Sequence, residues 1–344
     1  MKSVCVGAGL VALDAVLNGK PTTPPRFYAG GSCGNVLAIL SYLGWDAYPV
    51  ARLANNMATK EIISDLRRWG VKTQLLFSNE HGSTPIVIHR IFRDKMDRPV
   101  HRFEFRDPDS GNWLPRFKPV LNSEVPKIIE AQPHSNIFYF DRVSRGIIEL
   151  AKHNKENGAL LFFEPSSIGD QRLFKECLEI VDVIKFSNQR IRNYAEIFPE
   201  QQVPLEIETL AEKGLRYRFS PNKDETEWKT LNPFPVSQLA DSAGAGDWCS
   251  AGIISRLVVG ARTAFPKMSI QDVDHALQFG QMLGAINCQF DGARGIMYHL
   301  DKDEFCQLTK SSIKQGNTTV FSSNVRRKKS NHLKATPFAI SSLY

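Results

Sequence analysis

Asp241-Ser242-Ala243-Gly244-Ala245-Gly246-Asp247 runs directly into Trp248 to Val259, where apolar or small residues stand at Trp248, Ala251, Gly252, Ser255, Val258 and Val259. That spacing is one face of a helix, so the stretch is a glycine loop opening a helix. Gly244 and Gly246 let the backbone adopt conformations closed to other residues and approach a ligand closely, while the N–H groups and dipole of a helix start favour an anion. A phosphate group fits there. Asp247 falls in the first helical turn, where capping is the ordinary role of an Asp. A carboxylate beside an anion pocket can also accept the proton of a hydroxyl that attacks a phosphoryl group. The local sequence leaves both readings open.

Outward from this loop, short apolar runs alternate with helical patterns. Strands are predicted at Ser3 to Val6, Ile137 to Phe140, Leu160 to Phe163, Val181 to Phe186 and Leu205 to Leu210. Helices are predicted at Gly34 to Leu43, Glu61 to Trp69 and Ile147 to His153. Such alternation implies an α/β fold, doubly wound, with a mainly parallel sheet covered by helices on both faces. Two stretches break the rhythm, about 17–28 and 84–105, the second with strand-like Pro-Ile-Val-Ile and His-Arg-Phe-Glu-Phe around a charged turn. They are expected to form a separate small sheet. From Ser311 onward Ser, Asn, Thr, Lys and Arg dominate, which predicts one large domain over 1–310 and a disordered polar tail over 311–344.

Hydrophobic residues at 42% and charged residues at 23% are ordinary for a globular chain and predict a sizeable core. The formal charge of +7 traces to the tail, where Arg326, Arg327, Lys328, Lys329 and Lys334 cluster; the rest is nearly neutral, so no nucleic-acid surface is expected. Cys5, Cys33, Cys177, Cys249, Cys288 and Cys306 show no CxxC pairing and no zinc spacing. With no signal-like start and no run of about 18 apolar residues, the expectation is a cytoplasmic protein with reduced thiols and no membrane partner.

Gly30-Gly31-Ser32-Cys33-Gly34-Asn35 stands before the Val36 to Leu43 helix. Its glycines would let a polar ligand press on the backbone, and Asn35 offers a donor and an acceptor to hydroxyls; a plain turn with an N-cap is the simpler alternative. Gly7-Ala8-Gly9-Leu10-Val11-Ala12 matches a dinucleotide-binding pattern, but Asn18-Gly19-Lys20-Pro21 cuts the helix such a site requires, and no acidic residue follows at the ribose position. Asp14 is expected on the loop just past the first strand. No G-x-x-x-x-G-K-[ST] occurs, so a Walker-type cradle is absent.

Taken together, in order and spacing, these residues resemble the ribokinase-like (PfkB) family of carbohydrate kinases from about Ser3 to about Leu300. Asp241 to Asp247 is similar to the family's D-[TS]-x-G-A-G-D signature, Gly30-Gly31 with Asn35 to its G-G-x-x-x-N substrate motif, and Asp14 to its early substrate Asp. The resemblance implies a small β lid on the doubly wound domain and ATP-dependent phosphorylation of a hydroxyl on a sugar or sugar-like molecule, with magnesium. Asp247 would be the base, and Gly244, Ala245 and Gly246 the anion hole. Asp14, Gly30, Gly31 and Asn35 would hold substrate; Ser187, Thr209, Gly214 and Gly292 would lie on the nucleotide side. A nucleoside kinase of the same fold, or a catalytically silent relative acting as a scaffold, are the alternatives, and a homodimer through the lid is expected. Three places depart from the pattern: Ala54-Asn55-Asn56 in place of an acidic run, Arg190 in place of the acid of N-x-x-E, and Ala211 in place of a glycine.

Overall fold

The computed structural model describes residues 2–18, 25–93, 99–222, 226–236, 238–257, 264–316 and 340–344. Its strands are β1 (Val4–Ala8), β2 (Ala12–Asn18), β3 (Arg26–Gly30), β4 (Asp46–Ala54), β5 (Leu76–Asn79), β6 (Ile86–Arg93), β7 (Pro99–Glu104), β8 (Ile137–Phe140), β9 (Leu160–Phe163), β10 (Val183–Ser187), β11 (Leu205–Thr209), β12 (Leu215–Phe219) and β13 (Lys229–Leu231). The helices are α1 (Ser32–Tyr42), α2 (Met57–Arg68), α3 (Val125–Ala131), α4 (Arg145–Glu156), α5 (Gln171–Ile180), α6 (Tyr194–Ile197), α7 (Ala245–Leu257), α8 (Ile270–Asn287), α9 (Gly295–His299) and α10 (Lys302–Gln315).

The large sheet has the order β13-β12-β11-β10-β9-β8-β1-β4-β5. Strands β11 through β5 in that order pair in parallel, and β12 and β13 add antiparallel at one edge. Its interior strands are apolar on both faces because both faces are covered. Ile137, Tyr139, Leu160 and Phe162 point into one core, which also contains Leu37 of α1, Trp248 of α7 and Leu283 of α8. Phe138, Phe140, Leu161 and Phe163 point into the other, with Ile147 of α4 and Phe174 of α5.

From β1 the chain goes first to β4 on one side and later to β8 on the other. Strand order therefore reverses between β1 and β8, and a crevice opens past their carboxyl ends, the place where ligands bind in such sheets.

The second sheet has the order β3-β2-β6-β7, with β2 and β6 parallel and the two outer pairs antiparallel. It is the small lid that the two irregular stretches predict, although 19–24 and 94–98 lie outside the described residues. Its first segment begins at Ala12, not at 17. Ala12, Leu13, Asp14 and Ala15 are all buried, so the in-and-out alternation that marks a strand in sequence is missing. Asp14 accordingly sits on a lid strand, not on a loop.

The C-terminal boundary is also corrected. The helix α10 continues through Ser311 to Gln315, started by a capping box in which Asp301 Oδ1 accepts the Glu304 N–H at 2.9 Å and Glu304 Oε2 accepts the Asp301 N–H at 2.8 Å. At the chain end a short turn over Ile340–Leu343 buries Ile340 and Leu343 against the main core. Residues 317–339, with the basic cluster Arg326 to Lys334, lie outside the described residues, as do Val258 and Val259.

Candidate active site

The helix α7 begins at Ala245, so Gly246 and Asp247 occupy its first turn, where backbone N–H groups have no intrahelical acceptor. The Asp247 carboxylate does not act as a cap for its own helix. Its Oδ2 accepts from Asn35 Nδ2 at 2.8 Å, a partner on α1. Asn35 is buried, and its own Oδ1 is buried without a partner, leaving an acceptor beside the carboxylate that a hydroxyl of a bound molecule could satisfy. Removal from water, then the negative charge of Glu164, push the Asp247 carboxyl up to about 7, against the opposing Asn35 hydrogen bond and the positive charges of Lys185 and Arg190. A carboxylate poised there is suited to accept a proton near neutral pH.

The loop ahead of it is held from both ends. Asp241 Oδ1 accepts the Ala243 N–H at 2.6 Å, and its Oδ2 accepts the Gly292 N–H at 2.7 Å. Asn287, fully buried at the end of α8, donates to Ala243 O at 3.0 Å and accepts the Ile296 N–H at 3.3 Å. Gly244 has φ +71°, and a Cβ there would come within 2.0 Å of Ala293 O. Both the left-handed backbone and the close approach require glycine. Ala245 N–H already donates to Ser242 O at 3.3 Å, so that one of the loop's N–H groups is engaged within the loop.

Beneath the loop lies a buried ion pair whose lysine the sequence reading did not assign. Lys185, on β10 and only 2% exposed at its side chain, donates to Glu164 Oε1 at 2.5 Å and to Gly246 O at 3.3 Å. Glu164, just past β9, also accepts from Ser250 Oγ at 2.6 Å and Tyr139 Oη at 3.0 Å. The attraction of Glu164 keeps the Lys185 ammonium raised above its ordinary value despite burial. The result is a rigid platform under the first turn of α7.

On the lid side, Asp14 lies against Gly30, where a Cβ would meet its Oδ2 at 2.0 Å, and 3.4 Å from His89 Nε2 on β6. Asp14 and Asp241 pull the His89 imidazolium upward, against the opposing loss of solvent. At the crevice between β1 and β8, Asp141 accepts the Leu10 N–H at 2.8 Å and pairs with Arg142 at 3.1 Å. Asn56 is accounted for structurally, since its side chain caps α2 by accepting the Thr59 N–H at 3.0 Å.

A pfkB family carbohydrate kinase model matches residues 2–299. The chain belongs to the pfkB family of carbohydrate kinases. Among solved structures, it is similar to the Burkholderia thailandensis nucleoside kinase in complex with inosine, with a TM-score of 0.65 and 14% identity over 90% of this chain and 98% of that one. It is similar to the Xylella fastidiosa fructokinase with bound ATP, with a TM-score of 0.64 and 19% identity over 85% of this chain and 94% of that one. The Arabidopsis thaliana ribokinase complexed with ribose and ATP gives 0.63 and 17% over 90% and 99%. No curated protein matches.

Within this pfkB fold the predicted residues fall in several places. Asp247, Gly244, Ala245, Gly246, Asn35 and Gly292 are joined by the contacts above, and Asp14, Gly30 and Gly31 stand where the lid meets α1. Ser187 and Thr209 end the paired strands β10 and β11 side by side, with Asn188 N–H donating to Thr209 O at 3.1 Å. Gly214 has φ +89° and packs against Leu231 to Pro233. Ala211, standing in for a glycine, has φ +54°, a left-handed conformation disfavoured for any residue with a Cβ. The dinucleotide pattern at Gly7 to Ala12 leads into strand β2 and not into a helix, which removes the helix start that pyrophosphate binding requires.

Proposed function

We propose that this protein transfers the γ-phosphoryl group of ATP to a hydroxyl of a sugar or sugar-like molecule. The observation that carries the reading is Asp247 in the first turn behind the Gly244 loop, raised to about 7 and bonded to Asn35. The substrate lies between Asp14, Gly30, Gly31 and Asn35, and its hydroxyl gives its proton to Asp247 as its oxygen bonds to phosphorus and ADP leaves. Charge developing on the transferred group is met by the loop N–H groups of Gly244, Gly246 and Asp247. Ser187, Thr209, Gly214 and Gly292 flank the nucleotide. Among the described residues no three acidic, imidazole or thiol side chains are placed to hold a metal, and both Glu164 oxygens are engaged. Magnesium, on this reading, comes with the ATP phosphates.

The test is ADP formation from Mg-ATP against a panel of sugars, sugar acids and nucleosides, with Asp247→Asn alongside. Turnover reduced by about 10²- to 10⁴-fold in the variant supports the assignment. A panel in which only nucleosides react makes it a nucleoside kinase. ATP binding without turnover on any acceptor favours the scaffold alternative, which Arg190 motivates. A homodimer through the lid belongs to the same reading: Phe103 on the outer strand β7 and Phe105 beyond it are each about half exposed, and sedimentation of a Phe103→Glu variant as a monomer would support it. No helix among the described residues is long and apolar enough to cross a membrane, and a cytoplasmic setting for six free thiols is part of the proposal.

A further inference from the structure

Arg294 is 3% exposed, a costly place for a guanidinium. Its Nη2 donates to Ala29 O on β3 at 2.6 Å and to Asp65 Oδ2 on α2 at 2.6 Å. Asp65 Oδ2 in turn accepts the Ala29 N–H at 2.9 Å. One ion pair thus clamps both backbone groups of the residue that precedes Gly30 and Gly31. The two residues before Arg294 hold the other side of the site: Ala293 O abuts Gly244, and the Gly292 N–H is bound by Asp241. Three consecutive residues therefore touch the lid and the anion loop at once. Arg294 Nη1 is buried without a hydrogen-bond partner, so the bonds that hold the guanidinium are those of Nη2 to Ala29 and Asp65.

We infer that Arg294 is a positioning residue that registers the lid strand on the anion loop, so that the Asp14, Gly30 and Asn35 surface and the Gly244 loop close on their ligands as one unit. The inference rests on the kinase reading. A misplacement of about 1 Å between acceptor hydroxyl and phosphorus is enough to cost on the order of 10²-fold in rate.

Because Arg294→Met alone would leave Asp65, with a side chain only 10% exposed, without its cation, the variant to make is Arg294→Met with Asp65→Leu, which removes both charges. It is expected to fold, with kcat lowered on the order of 10²-fold and KM for ATP within about threefold of wild type. Hydrogen exchange supplies a second readout, the difference that ATP makes: it should protect the amides of Arg26–Gly30 in the wild type and not in the double variant, with Ala29 left out of the comparison because its N–H loses the Asp65 acceptor whatever the role. Should the double variant not fold, Arg294→Lys, which keeps the charge and loses the planar fork, should show the same split with a loss of about tenfold. Wild-type ATP binding with no change at Arg26–Gly30, or a folded variant with unchanged kcat, overturns the inference alone. A wild type that binds no ATP removes the kinase reading and this inference with it.

Discussion

Replacing Asp247 by Asn is expected to stabilise the protein above neutral pH while removing its turnover. The native carboxyl is raised from 3.8 to about 7, chiefly by loss of solvent and secondly by the charge of Glu164. A rise of that size is a preference of about 4 kcal/mol for the neutral form, trimmed by the partial exposure of the residue to roughly 2–3 kcal/mol. The unfolded chain releases this proton at the ordinary value, so between 3.8 and about 7 the native state holds a proton that the unfolded state has lost. Stability therefore falls as pH climbs through that window and levels off above it. Asn has no proton to lose, and its carbonyl oxygen can keep accepting from Asn35 Nδ2. The gain of the variant over wild type should open from near zero at the acid end to its full value above pH 7, a few degrees in Tm for a chain of this size. Thermal unfolding of both proteins at about pH 5 and pH 8, at one ionic strength, measures it. A Tm difference that is the same at both pH values, or a variant less stable at pH 8, would refute the account of Asp247 as a carboxylate held at a cost.

On the proposed mechanism turnover needs the carboxylate form of Asp247, so wild-type kcat/KM should rise with pH through about 7; Arg190→Gln, by removing a positive charge that lowers this value, should move the rise to higher pH, and an unmoved profile would place Arg190 outside the field of Asp247. Lys185→Met leaves Glu164 without its cation beneath the loop and should destabilise by about 3–5 kcal/mol in denaturant titration, whereas a loss under about 1 kcal/mol would show that water reaches Glu164. Ala211→Gly should stabilise by about 0.5–1 kcal/mol, since the left-handed cost at φ +54° disappears and only part of it returns as backbone entropy; a destabilised variant would mean that the Ala methyl packs.

The doubly wound core was legible because a parallel sheet covered on both faces writes itself as unbroken apolar runs, and Ile137 to Phe140 and Leu160 to Phe163 are such runs. Strand β4 was not predicted. Pro49 lies within it, and a proline argues against an interior strand. The ladder to β1 covers 46–50 and the ladder to β5 starts at Ala51, so Pro49 is flanked by β1 alone. The lid start escaped for the opposite reason: Ala12 to Ala15 is buried on both sides, so no alternation marked it. Composition misplaced the tail because Ser311 and Ser312 look polar in sequence, while Ser312 is fully buried on α10.

In the candidate site, the glycine loop could be read because the left-handed turn at Gly244 is a backbone property, which local sequence controls. The platform could not. Lys185 and Glu164 stand 21 positions apart, Arg294 and Asp65 stand 229 apart, and only the fold makes them partners. A lysine between Ile184 and Phe186 in an interior strand was the one available signal, since such a residue must find a carboxylate or be expelled. The two aspartates that bound the seven-residue stretch show why local reading could not choose between cap and base. Asp241 and Asp247 are chemically identical, and either could cap a helix. In three dimensions Asp241 binds the N–H groups of Ala243 and Gly292 and holds the loop shut, while Asp247 accepts from the side chain of Asn35, 212 positions away. A carboxylate engaged by two amides is a brace; one raised to about 7 beside an unsatisfied Asn35 oxygen is available for a proton, and that difference in partners, absent from the sequence, is what favours Asp247 over Asp241 for the role of base proposed above.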